Sequence, residues 1–150
     1  MPLLNYTTEV PVARTIGQVQ ALLVEAGARS IASEYSEVGT PTGMAFVVET
    51  AYGLRRFLIP VNSDSVFAVL AREKVQPRFK TPQHAERVAW RIVKDWLEAQ
   101  LAIIHTEMVT LDQVMLPYMS DDSGRTVYEL YRDRQLALPA GSGFTEGEAG

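Results

Sequence analysis

Residues 81–108 read TPQHAERVAWRIVKDWLEAQLAIIHTEM, and this stretch decides the architecture. Thr81 before Pro82 sets a capping hydroxyl ahead of a proline at the first helical position, so a long helix starts here and runs to about Met108. At 100° per residue, Val88, Ala89, Trp90, Ile92, Val93, Trp96, Leu97, Ala99, Leu101, Ile103, Ile104 and Met108 cover an arc of about 220°. Packing on one sheet needs an apolar stripe only a little over about 100° wide. The surplus face has two explanations, which can hold together. Later helices fold back over it through Val114, Met115, Leu116, Tyr118 and Met119, or it is a subunit contact and the chain is a homo-oligomer. The remaining sector carries Arg87, Arg91, Lys94, Asp95, Glu98 and His105. Arg91 with Asp95 and Lys94 with Glu98 are i,i+4 pairs, the ordinary dress of a solvated face. The other reading makes Arg87, Arg91 and Lys94 the lining of an anion groove.

Upstream, Asn62-Ser63-Asp64 offers capping side chains for a helix over about 65–73, with Val66, Phe67, Val69 and Leu70 apolar. Before it come three segments read as strands: Ala28–Tyr35, Met44–Thr50 and Leu54–Val61, the last two joined across Ala51-Tyr52-Gly53. Phe57, Ile59 and Val61 fall on one face of the third, Arg56 and Leu58 on the other, as in an antiparallel sheet backed by helices. Thr15-x-x-Gln18 has the form of a capping box for a helix with Ile16, Val19, Leu22, Leu23 and Ala26 in one stripe, closed by Gly27. Residues 5–12 alternate as a short strand, ended by Pro11 and available to make the sheet four-stranded.

Downstream, Thr110-x-x-Gln113 and Thr126-x-x-Glu129 are two further capping boxes for short helices, separated by the turn Ser120–Gly124. The pattern predicts an α+β fold: an N-terminal strand and helix, an antiparallel sheet of three to four strands, and a long C-terminal helix with short helices packed on it.

The length of 150 residues suits one domain, expected over 1–133, with 134–150 a flexible Gly-rich tail. With 47% hydrophobic and 21% charged residues the composition is globular. The absence of Cys excludes disulfides, thiolate zinc sites and Cys nucleophiles. No charged region precedes an apolar stretch at the N-terminus and no long apolar run occurs, so a cytoplasmic location without membrane contact is expected.

The chemistry-bearing types do not form a recognisable constellation. His84 and His105 stand about 31 Å apart along one helix at 1.5 Å per residue. There is no Gly-x-Ser-x-Gly elbow, no P-loop, and no Glu-x-x-His pair for a di-iron bundle. We expect no catalytic residues, no metal and no cofactor, although a triad assembled from distant positions is not excluded by residue types alone.

Charge is segregated. Residues 54–94 hold nine Lys and Arg against three acids, a net of +6, while the remainder nets −10 and the chain −4. Within the basic segment, Arg78-Phe79-Lys80 sets an aromatic between two cations. Surfaces that bind single strands combine cations that track phosphate with rings that stack bases. The candidate phosphate- or nucleic-acid-binding set is therefore Arg55, Arg56, Arg72, Lys74, Arg78, Phe79, Lys80, Arg87, Arg91 and Lys94. A connector that is basic only for solubility is the competing reading.

The run Ala85-Glu86-Arg87-Val88-Ala89-Trp90-Arg91-Ile92-Val93-Lys94-Asp95-Trp96-Leu97-Glu98-Ala99-Gln100 resembles a family of small phage and prophage proteins, as do Leu116-Pro117-Tyr118-Met119 and Gly124-Arg125-Thr126-Val127-Tyr128-Glu129. The segment Ile16–Tyr35 with Gly27-Ala28-Arg29 is similar to the same family, so the likeness spans about residues 5–132. It implies an accessory role inside an infected bacterium and carries no chemical activity. The order of helix, three antiparallel strands and long helix also resembles, at fold level alone, ring-forming single-strand annealing proteins.

Taken together these readings point to a non-enzymatic phage accessory protein that binds a phosphate-rich ligand, single-stranded or duplex DNA, as an oligomer. Two alternatives stand beside it. One is an anti-defence protein that sequesters a nucleotide immune signal or caps a host protein; the other is a structural or assembly component.

Overall fold

The β-rich segments with Gly-containing turns do form a sheet, and its register fixes which side chains enter the core. The computed structural model describes residues 1–134. Four antiparallel strands lie in the order β1 (Ser30–Tyr35), β2 (Pro41–Thr50), β3 (Gly53–Pro60) and β4 (Met119–Ser120). Phe46 stands opposite Phe57 and Met44 opposite Ile59, so the period-2 alternation sends these four to one face. The two phenyl rings stack with centroids 5.3 Å apart. Arg56 and Leu58 pair with Val47 and Ala45 on the opposite face.

Five α-helices accompany the sheet among the described residues: α1 (Val12–Glu25), α2 (Ser63–Arg72), α3 (Pro82–His105), α4 (Leu111–Met115) and α5 (Val127–Arg134). The inner sheet face packs on Val19 and Leu23 of α1, Ala89, Trp90 and Leu97 of α3, and Met115 of α4. A second cluster joins Leu70 of α2 to Ala85 and Val88 of α3, with Leu3, Tyr6 and Phe67 against it. The broad apolar arc of α3 is thus used on two sides: the sheet and α1 take one, and α2 takes the other. Tyr118 adds an edge contact to Trp96 at 5.6 Å. The last turns differ, with Ala99, Ala102 and Ile103 exposed, and the helix ends at His105 rather than at Met108, which is exposed beyond it.

Four sequence readings need correction. The long helix is central rather than C-terminal, since α4, β4 and α5 follow it. Residues 5–12 form no strand. Turns closed by Tyr6 N–H to Leu3 C=O and Thr8 N–H to Asn5 C=O, with Asn5 at φ 64°, bend the segment so that Leu3 and Tyr6 pack on the α2–α3 cluster. The fourth strand is instead Met119–Ser120, beside β3. Finally, α1 starts at Val12 behind Pro11, one turn ahead of the Thr15 box. Thr15 lies on the buried stripe, and its hydroxyl is used across the helix interface.

The other caps form as read. Asn62 Oδ1 accepts from Ser65 N–H at 3.0 Å, Thr81 Oγ1 from His84 N–H at 3.1 Å, and both downstream boxes close. Gly27, which follows α1, adopts φ 96°. Of the tail expected from 134, Arg134 ends α5 and the rest lies outside the described residues.

Candidate phosphate-binding surface

The connector from α2 to α3 holds the densest group of cations, and its shape follows from three residues. Glu73 turns to extended backbone and ends α2. Pro77 opens a 3-10 turn over Pro77–Phe79, as its fixed φ favours. Phe79 then anchors the turn: it is 8% exposed, with Tyr6 edge-on at 5.4 Å and the His84 ring at 5.1 Å. The Arg78 guanidinium covers its neighbour's ring at 4.6 Å. The ring of Phe79 is therefore a core anchor with its surfaces occupied, and it presents no open face to a base.

Around this anchor Arg72, Lys74 and Arg78 are exposed and Lys80 is half-buried. Lys80 Nζ donates to the Ala71 carbonyl at 3.3 Å, and Arg72 sits in the last turn of α2, both where a helix end favours positive charge. Among the described residues none of these four has a carboxylate within 4.0 Å. The one acid in the connector, Glu73, is engaged elsewhere: its Oε1 accepts from the Leu3 N–H at 3.0 Å.

The cations of α3 behave differently. Arg91 Nη1 donates to Gln18 Oε1 and to Thr15 Oγ1 at 3.3 Å, tying α3 to α1. Its i,i+4 partner Asp95 instead accepts from Asn5 Nδ2 at 2.8 Å. Lys94, with a side chain 16% exposed, meets Glu98 at 3.0 Å and Asp95 at 3.7 Å, so of the two expected helix pairs this one forms. Arg87 Nη2 donates to Nδ1 of buried His84 at 3.3 Å, while the other ring nitrogen of His84 meets the Tyr6 carbonyl. With the proton on Nε2, the ring donates to that carbonyl and accepts from Arg87. Arg87 Nε is buried without a partner among the described residues.

Arg55 and Arg56 are neighbours on β3 and so project to opposite faces. Arg56 Nη1 donates to Ser120 Oγ at 3.1 Å and helps hold β4; Arg55 Nη1 donates to the Leu54 carbonyl at 2.8 Å. Of the ten residues singled out in the sequence, the structure thus gathers Arg72, Lys74, Arg78 and Lys80 around one connector. It places Phe79 beneath them, commits Arg87, Arg91 and Lys94 to internal bonds, and separates Arg55 from Arg56.

Sequence reasoning missed the role of His84 and Tyr6, which seat the connector from beneath. The one available signal was position: with Thr81 as cap, His84 falls at the third helical residue, one turn before Arg87.

A separate polar cluster closes the C-terminal segment. Asp121 is held below the usual carboxylate range by the Ser123 hydroxyl and the Arg125 N–H. Glu129 is lowered by the Thr126 N–H and hydroxyl of its capping box, and Asp133 by Arg132. Among the described residues no three His, Asp or Glu side chains come together as a metal site, and no helix is long and apolar enough to cross a membrane. The chain matches no protein-family model, no curated protein and no solved structure.

Proposed function

We propose that this chain is a non-enzymatic accessory protein that binds DNA through the phosphate backbone as an oligomer, with Arg72, Lys74, Arg78 and Lys80 as the contacts. The observation that carries the reading is the connector itself: four cations within nine residues, unpaired with carboxylates among the described residues, on a turn pinned by Phe79. Cations already ion-paired gain little from a phosphate, whereas unpaired ones release counterions and gain entropy. The contacts are to phosphate, so the binding is independent of base sequence. The phage setting rests on the resemblance of Ala85–Gln100 and the two later motifs.

Fluorescence anisotropy with a labelled single strand and a labelled duplex, titrated with salt, tests the proposal. Each connector engaged supplies four phosphate contacts, so the slope of log K against log salt is about −2.8 for a single strand and about −3.6 for a duplex per subunit in contact. Replacing Arg72, Lys74 and Arg78 together by Ala leaves one contact per connector and cuts the single-strand slope to about −0.7 per subunit in contact. Absence of binding at low ionic strength overturns the proposal.

A structural or assembly role is a second reading, favoured by the exposed apolar residues at one end of the molecule, Leu54, Ile103 and Met108 among them.

A further inference from the structure

We propose that the end of the molecule bearing the β2–β3 hairpin tip docks a second copy of this chain, the tip of each copy entering a groove of the other. This deepens the self-association half of the function proposed above, on which it rests, by naming the contact.

The tip is apolar, uncovered and basic. Tyr52 is 77% exposed and Leu54 52%, both held on a tight turn by Thr50, whose hydroxyl donates to the Gly53 carbonyl and accepts from the Tyr52 N–H. Arg55 follows, with no carboxylate within 4.0 Å among the described residues. Tyr and Arg are among the side chains enriched at the energetic centres of interfaces, and Leu54 adds apolar area beside them.

The groove has the opposite character. It runs between the last turns of α1 and α3 and the start of α4, with a volume of about 610 Å³. Leu22, Ala26, Leu101 and Leu111 line it with His105; of its two carboxylates, Glu98 is paired with Lys94 and Glu25 stands free of cations within 4.0 Å among the described residues. Each side thus offers an unpaired charge of the sign the other lacks.

Both features lie at the same end. Arg29, just beyond the Gly27 that follows α1, bonds Glu49 at 2.7 Å, and Glu49 stands opposite Leu54 in the hairpin register. When protrusion and groove share one end, two copies related by a two-fold axis satisfy both at once: residue i meets j and j meets i, and the contact closes at two subunits. The pairing sets Tyr52 and Leu54 on the Leu-lined floor and Arg55 at Glu25.

Sedimentation equilibrium on the full chain from about 1 to 200 μM tests this. A dimer is expected, and Tyr52→Ser with Leu54→Ser raises its dissociation constant at least tenfold while the circular dichroism of the monomer is retained. Arg55→Glu weakens the dimer and Arg55→Glu combined with Glu25→Arg restores it, a rescue that a folding defect does not produce. A strict monomer at 200 μM overturns this contact and the self-association reading together. A dimer indifferent to the tip substitutions, or a complex that saturates at more than two subunits, overturns this contact alone and leaves self-association standing.

Discussion

Replacing Phe79 separates two roles that the sequence allows for the same ring. As a core anchor it fills the space between Tyr6 and His84 at 8% exposure, so truncation to Ala removes most of a buried phenyl group. Such a change costs about 3–5 kcal/mol. For a chain of this length each kcal/mol moves the melting midpoint by roughly 2–4 °C, so Phe79→Ala lowers it by about 6–20 °C. The conservative Phe79→Leu keeps the apolar volume and abolishes aromatic stacking, and it discriminates between the roles. If the ring stacked on a base it would contribute about 1–3 kcal/mol, and Phe79→Leu would weaken single-strand binding by about 5- to 150-fold. With the ring buried, we expect affinity within about twofold of the parent chain and a lower melting midpoint. Thermal denaturation followed by circular dichroism, with anisotropy on labelled oligo-dT well below the midpoint, measures both. A tenfold loss of affinity at unchanged stability would refute the assignment.

Three other perturbations have outcomes fixed by the structure. A Cβ on Gly43 meets the Ile59 carbonyl oxygen at 2.6 Å, so Gly43→Ala forces β2 and β3 apart and costs about 1–3 kcal/mol in a urea melt; an unaltered midpoint contradicts that packing. Arg91→Ala takes the donor away from the buried Thr15 hydroxyl and costs about 1–3 kcal/mol, and adding Thr15→Val recovers part of the loss; strictly additive effects in that double-mutant cycle would show the two side chains to be uncoupled. Asp121, Glu129 and Asp133 are held below the usual carboxylate range, so their bonds favour the fold fully above about pH 5 and lose that contribution as pH falls through the lower folded values. Hydrogen exchange followed downward in pH should therefore show residues 121–134 losing protection ahead of the sheet, and simultaneous loss throughout counts against a local effect.

What could be read in the sequence is what local chemistry decides. Thr81, Thr110 and Thr126 each stand one position ahead of a helix or its first turn with the partner three residues on, and each forms its cap; Gly27 takes the positive φ that ends α1. The facing of Phe57 and Ile59 against Arg56 and Leu58 follows from the two-residue period and appears in the register. The errors lie where a distant residue outbids a local one. Thr15 and Gln18 have the spelling of a capping box, yet Arg91 bonds both from 76 and 73 residues away. Residues 5–12 alternate like a strand, but Leu3 and Tyr6 gain more by packing on the α2–α3 cluster, and Met119–Ser120 takes the place at the sheet edge. Phe79 looks like a stacking ring between cations because spacing alone cannot reveal that Tyr6 arrives beneath it.

The same contrast explains how a chain with net charge −4 would accommodate the proposed phosphate-binding surface. Apart from Arg55 at the hairpin tip, the nine cations of residues 54–94 are two populations of four with different work. Arg56 joins β3 to β4 and Arg91 joins α3 to α1, Arg87 bonds the His84 ring that meets the N-terminal segment, and Lys94 is neutralised by Glu98 and Asp95 on its own helix. Removing Arg56, Arg87 or Arg91 disturbs packing before it disturbs a surface field. Arg72, Lys74, Arg78 and Lys80 hold no carboxylate partner among the described residues, and at about 0.1 M salt a charge is felt over only about 10 Å. At that range the connector presents its own sign to a ligand, and the acidic remainder of the chain is screened from the encounter. On the proposed function, the overall charge governs solubility and long-range approach, while the local surplus at the connector would govern which ligand is held there.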